Sequence, residues 1–136
     1  YGILNSKTNE FQWTSAGAPI PMIQELETNQ VRELGTLDDG GLPLGIVPGA
    51  EYDIHTSVVP PESRLLIFTD GLAEAFPGEK ETFGEFGIPG IMQSLQSSRS
   101  LNLEESLENL FRDSNAFTDG SGRHDDTSVV LLERKN

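Results

Sequence analysis

Two short apolar runs, each with aspartate at one end, constrain this chain more than any other feature. Leu65-Leu66-Ile67-Phe68 lies within residues 64–69 and runs into Asp70-Gly71. Val129-Val130-Leu131-Leu132 lies within residues 127–133 and comes directly after Asp125-Asp126 and Thr127-Ser128. Continuous apolar runs this short, bounded by turn residues, read as strands covered on both faces. If the two strands are antiparallel neighbours, the end of the first and the start of the second share one sheet edge. Carboxylates 55 positions apart (125 − 70) then converge there.

The surrounding pattern predicts an α+β domain. Residues 1–5 and 11–16 read as two strands of a hairpin joined by Ser6-Lys7-Thr8-Asn9-Glu10, with Phe11, Trp13 and Ser15 sharing one face. Pro19, Pro21 and the stretch Gly40-Gly41-Leu42-Pro43-Leu44-Gly45 punctuate the next part of the chain, so any strands there must be short. Residues 52–58 alternate weakly and read as a further strand before Pro60-Pro61. Two helices are expected between the apolar strands. Ile88, Ile91, Met92 and Leu95 follow helical spacing with Pro89 in the first turn, and Leu103, Leu107, Leu110 and Phe111 repeat it behind a cap of Asn102 and Glu105. Strands followed by helices imply layers of sheet and helix around one core. The length of 136 residues suits one domain. A start at Tyr1, without Met and inside a strand, leads to the expectation that residues 1–136 are the C-terminal part of that domain, its N-terminal part lying upstream.

Composition removes several function classes. The formal charge of −13 opposes binding to nucleic acid or anionic membrane. No apolar run approaches the roughly 20 residues of a membrane-spanning helix. With no cysteine, disulfides and thiolate metal sites are excluded, and a reducing cytoplasm fits.

The clustered aspartates need a counter-charge. Two like charges about 4 Å apart repel by roughly 1 kcal/mol in water and about 4 kcal/mol at an effective dielectric of 20. A proton or a cation relieves this, and hard oxygen donors favour Mg²⁺, Mn²⁺ or Ca²⁺ over zinc. Each motif alone is also ordinary turn chemistry. An EF-hand is discounted, because neither Asp38-Asp39-Gly40 nor Asp119-Gly120-Ser121-Gly122 carries the alternating ligands and terminal Glu of such a loop. His124 beside Asp125 is weighed as a proton donor or water-orienting group against a solvent-facing loop residue, and His55 is read as structural.

The ordered motifs resemble the type 2C, metal-dependent protein phosphatase superfamily (PPM), and within it the bacterial branch of stage II sporulation protein E and the sigma-factor regulators. The matching segments are Tyr1-Gly2-Ile3-Leu4-Asn5, Phe11-Gln12-Trp13-Thr14-Ser15-Ala16-Gly17, Pro43-Leu44-Gly45-Ile46, Leu65 through Ala75, Phe83-Gly84, and Asp125-Asp126-Thr127-Ser128. The resemblance implies a layered α-β-β-α sandwich with a two-metal site at one end of the sheets. It implies Asp70 and Asp125 as ligands of Mn²⁺ or Mg²⁺, Asp126 in support, and Gly71 as a point of close backbone approach. Glu74 takes a structural or regulatory position. It further implies hydrolysis of a phosphoprotein, an anti-sigma-factor antagonist in a bacterial signalling pathway, under an upstream sensor or receiver domain. A homodimer is compatible with it. Ala18 stands where the branch carries His, and the family's other metal ligands lie in the N-terminal half. A phosphatase-like regulatory module without turnover is therefore the alternative.

Overall fold

The computed structural model describes residues 1–78 and 84–136, so Phe83 of the Phe83-Gly84 match lies outside the described residues. Among the described residues seven strands form two antiparallel sheets: β1 (Gly2–Asn5), β2 (Glu10–Trp13), β3 (Met22–Glu25), β4 (Gln30–Glu33), β5 (His55–Val58), β6 (Ser63–Phe68) and β7 (Val129–Arg134). Among the described residues three helices accompany them: α1 (Asp70–Ala73), α2 (Gly87–Ser97) and α3 (Leu103–Phe117). The smaller sheet has the order β1-β2-β5 and the larger β4-β3-β6-β7. The expected α+β architecture and the expected antiparallel pairing of the two apolar strands are both present.

Both hairpins turn by the same chemistry. Asn5 pairs with Glu10, and Glu25 with Gln30, so each turn has four residues ending in Thr-Asn. Asn9 and Asn29 have φ of 58° and 59°, a left-handed conformation that Asn tolerates better than most side chains.

Alternation along β6 divides the core. Leu65 and Ile67 face the smaller sheet and pack with Phe11, Trp13, Ile20, Ile23 and Val59. Leu66 and Phe68 face the helices and pack with Met22, Leu72, Ile91, Leu95, Leu110 and Leu131. The layers are thus helix, sheet, sheet. Burying each of these large apolar side chains is worth about 1.5–3 kcal/mol.

The full two-sided cover expected for both apolar strands holds for β6 only. Leu65, Leu66 and Phe68 are buried, whereas Val130 and Leu132 of β7 are 50 % and 40 % exposed. By register they lie beside Ile67 and Leu65 on the face toward the smaller sheet. β7 is an edge strand, and the three-stranded sheet does not reach across it.

The helices start as their sequences require. Asn102 accepts a hydrogen bond from the Glu105 amide (2.9 Å), and the Glu105 carboxylate accepts one from the Asn102 amide (3.3 Å). Pro89 sits in the first turn of α2, where its missing N–H costs nothing. The connector between α2 and α3 is pinned by buried Arg64. Its Nε donates to Glu133 (2.8 Å), its Nη1 to the Ser98 carbonyl (3.2 Å) and Ser106 Oγ (3.0 Å), and its Nη2 to the Leu101 carbonyl (2.6 Å). Among the described residues, no helix is long and apolar enough to cross a membrane.

Candidate metal centre

Strand directions gather several connections at one end of the sandwich. β6 ends where β7 begins, with Phe68 opposite Val129. β3 begins at the same end, with Met22 opposite Leu66, and β4 finishes there, with Glu33 opposite Met22. In the other sheet, the end of β2 and the start of β5 meet at Trp13 and His55. At that end the Gly17 amide, in the connection from β2 to β3, donates to the Gly40 carbonyl in the connection from β4 to β5 (2.8 Å), and the Leu34 amide extends the β3–β4 pair by donating to the Pro21 carbonyl (2.8 Å).

Here the Asp70 and Asp125-Asp126 segments interlock. The Thr69 amide donates to the Ser128 carbonyl (3.0 Å), and the Ser128 amide returns a bond to Thr69 Oγ1 (2.9 Å). The same hydroxyl donates to the Asp126 carbonyl (3.3 Å). Gly71 lies against that loop: a β-carbon there would sit 2.5 Å from the Asp126 carbonyl oxygen and 3.0 Å from that of Asp125. The closeness read into Gly71 from the sequence is therefore a contact with the second acidic segment.

Asp70 opens the short helix α1 rather than a plain turn, and Thr69 precedes it in extended conformation. The Gly71 amide donates to Asp70 Oδ1 (3.0 Å), and the Asp126 amide to Asp125 Oδ1 (2.7 Å). All three aspartates are solvent-exposed, and among the described residues none is paired with Lys or Arg. Each carboxylate keeps free oxygens facing water. These are hard anionic donors of the kind Mg²⁺ and Mn²⁺ take, usually one or two carboxylates at a time with water completing the shell. Among the described residues, no group of three or more His, Cys, Asp or Glu side chains is arranged to hold a metal ion. The residues fit such a cation as a partial donor set.

The other predicted positions resolve differently. His124 stacks on Phe76 (centroids 4.0 Å apart, 17° between planes), and its Nε2–H donates to the Phe76 carbonyl (3.2 Å). It is a peg between the acidic loop and the segment after α1, and Gly78 adds a second tie by donating to Ser121 Oγ (3.0 Å). His55 stacks on Trp13 at 4.5 Å, in keeping with a structural role. Glu74 is the C-terminal cap of α1 and exposed. Ala18 closes a tight turn in which its amide donates to Ser15 Oγ (3.1 Å) and its carbonyl accepts from that hydroxyl (2.8 Å).

Sequence reasoning missed Thr69. Its signal was present as a hydroxyl residue directly before Asp-Gly, facing Thr127-Ser128 across the strand pair.

No curated protein matches the chain in sequence. Its fold is similar to the SiaA-PP2C domain of Pseudomonas aeruginosa, with a TM-score of 0.74 and 18 % identity, over 96 % of this chain and 48 % of that one. It is similar to the RsbU and RsbW domains of Rv1364c from Mycobacterium tuberculosis, with a TM-score of 0.70 and 24 % identity, over 98 % and 35 %. It is also similar to the phosphatase domain of the cell fate determinant SpoIIE from Bacillus subtilis, with a TM-score of 0.73 and 12 % identity, over 100 % and 56 %. The chain thus spans about half the length, or less, of these structures. The sequence description of the stage II sporulation protein E (SpoIIE) family matches residues 1–135, and the chain belongs to that family.

Proposed function

We propose that this chain is the C-terminal part of a metal-dependent serine/threonine protein phosphatase domain, with Asp70 and Asp125 holding Mn²⁺ or Mg²⁺ and Asp126 and Gly71 in support. The observation that carries the reading is the interlock of Thr69–Gly71 with residues 125–128, which fixes two acidic segments side by side on adjacent strands. Divalent cations bound there would lower the pKa of a held water and neutralise charge on a transferring phosphoryl group. The chain's own share is to present free carboxylate oxygens on a rigid backbone and, through Gly71, to let the two segments approach. Because the chain covers about half of the SpoIIE phosphatase structure, the remaining donors are assigned to the part of the domain that it does not span.

Membership of the SpoIIE family and similarity to an RsbU-containing protein support a phosphorylated anti-sigma-factor antagonist as the substrate. A SpoIIE structure that includes part of a regulatory domain supports an upstream sensor or receiver. A cytoplasmic setting accords with such a substrate. Ala18 favours a second reading, a regulatory module without turnover, since it offers no titratable group where the branch carries His.

The test is manganese-dependent hydrolysis of a phosphoserine protein by the full-length protein and its Asp70→Asn variant. The reading expects metal-dependent turnover that the substitution abolishes. Equal rates for the two would remove the ligand assignment, and no turnover by the parent would favour the regulatory module.

A further inference from the structure

Residues that face each other as a hydrogen-bonded pair in an antiparallel ladder exchange two main-chain bonds, each N–H donating to the other's carbonyl. Thr69 and Ser128 lie one step beyond Phe68 and Val129 in the register of β6 and β7. Half of the exchange is present, since the Thr69 amide donates to the Ser128 carbonyl (3.0 Å). The other half is replaced. The Thr69 carbonyl has turned into α1, where it accepts from the Leu72 amide (3.1 Å). The Ser128 amide donates instead to Thr69 Oγ1 (2.9 Å). A side-chain hydroxyl thus stands in for a carbonyl at the point where the chain leaves the sheet to open a helix with Asp70.

The same hydroxyl forgoes its ordinary task. Thr69 is the N-cap of α1, and a threonine there normally accepts a bond from one of the first helical amides. No such bond is made. The Gly71 amide goes to Asp70 Oδ1 (3.0 Å) and the Leu72 amide to the Thr69 carbonyl. Freed from the helix, Thr69 Oγ1 accepts from Ser128 and donates its own proton to the Asp126 carbonyl (3.3 Å). One hydroxyl, on the residue beside Asp70, therefore holds residues 126 and 128 together.

Other bonds in the acidic segment are local. The Asp126 amide donates to Asp125 Oδ1 (2.7 Å), and Thr127 Oγ1 donates to the Asp125 carbonyl (3.3 Å). They shape the segment without tying it to β6. Thr69, Asp125, Asp126 and Ser128 are all solvent-exposed, so water competes for these groups and an unpinned strand end would fray. Groups that hold metal ligands in place influence affinity strongly although they do not touch the metal.

We infer that Thr69 is a positioning residue, whose hydroxyl pins the segment carrying Asp125 to the strand end carrying Asp70 and so presets the two carboxylates for one divalent cation. This rests on the reading of Asp70 and Asp125 as ligands and adds to it a residue that acts through the backbone of residues 126–128. The role needs one atom that accepts and donates at once. Serine keeps such an atom, whereas valine keeps the shape of threonine and loses it.

The experiment compares the full-length protein with its Thr69→Val and Thr69→Ser variants. Mn²⁺ affinity is measured calorimetrically, and amide hydrogen exchange is followed in the metal-free protein. For the valine variant the expected result is Mn²⁺ binding weaker by about tenfold or more. Exchange should quicken at the amides of residues 69 and 128 and stay unchanged at Leu66 and Leu131 in the core. Serine should recover most of both losses. A valine variant that binds Mn²⁺ as tightly as the parent overturns the positioning role. So does a serine variant as weak as valine, because the methyl group rather than the hydroxyl would then matter. Weaker binding without faster exchange at residue 128 also overturns it, since the effect would not run through the acidic segment. Faster exchange along the whole of β6 and β7 does so too, for Thr69 would then serve the fold at large. If the parent itself binds no Mn²⁺, the ligand reading of Asp70 and Asp125 fails, and the inference falls with it.

Discussion

Gly71 and Asp126 approach so closely that a β-carbon on the first would lie 2.5 Å from the carbonyl oxygen of the second. Gly71 is helical, so its requirement for glycine is one of space rather than of backbone angle. Alanine would gain about 1 kcal/mol of helix propensity. Displacing two backbone carbonyls costs typically 1–3 kcal/mol, so the clash is expected to win. Gly71→Ala should lower the melting temperature and weaken Mn²⁺ binding together, as read by thermal denaturation and calorimetry. A stabilised variant with unchanged metal affinity would show that the segments can part freely.

His124 is expected to act through Asp125 rather than on substrate. His124→Ala removes the stack on Phe76 and the bond to its carbonyl, and should weaken Mn²⁺ binding several-fold. His124→Phe keeps the ring contact, worth about 0.5–1.5 kcal/mol, and should recover part of the loss. If phenylalanine behaves as alanine does in a calorimetric titration, the stack does not hold the loop.

Arg64 and Glu133 are joined at 2.8 Å, with their side chains 2 % and 16 % exposed. Arg64→Met leaves the Leu101 carbonyl and the Glu133 carboxylate without the Arg64 donor and the Ser98 carbonyl with only the Ser106 hydroxyl, at a cost of about 3–5 kcal/mol by analogy with broken buried pairs. Glu133→Gln keeps an acceptor oxygen for Nε and should cost only about 1 kcal/mol. Chemical denaturation of both variants orders them. The reverse order would mean that the carboxylate, and not the bridged carbonyls, dominates.

Asp39 supplies a pH dependence confined to the start of the connection from β4 to β5. The Thr36 amide bond to its carboxylate holds the Asp39 pKa below the ordinary value, with smaller help from the Thr36 hydroxyl and His55. A depressed folded-state value means the contact stabilises above the unfolded-state pKa and fades as pH falls through the folded one. The Thr36 amide resonance should therefore stay constant from neutral pH down to the ordinary carboxylate range and move only below it. Asp39→Asn should abolish that late movement.

Much of this arrangement was legible because it rests on local signals. The apolar run at 65–68, the Asn102-Glu105 cap and the Phe11-Trp13-Ser15 alternation each report a structure that the neighbouring residues dictate. The adjacency of Asp70 and Asp125 came from a single assumption about strand pairing, which the structure satisfies. The strands β3 and β4 were not located, since four-residue strands among prolines give too short a pattern. The role of Thr69 and the anchoring of His124 to Phe76 depend on contacts between residues 48 to 59 positions apart, and no local pattern encodes those. Val130 and Leu132 carry the same apolar signal as Leu65 and Ile67, yet their exposure is decided by how far the opposite sheet extends.

Binding of Mn²⁺ to the full-length protein, followed calorimetrically for the parent and for Asp70→Asn and Asp125→Asn, tests the central claim most directly. If the two aspartates share a cation site, each substitution should weaken binding by about tenfold or more, roughly 1.4 kcal/mol. The double variant should lose less than the sum of the two singles, as expected for ligands of one centre. Unchanged affinity in both single variants would contradict the account.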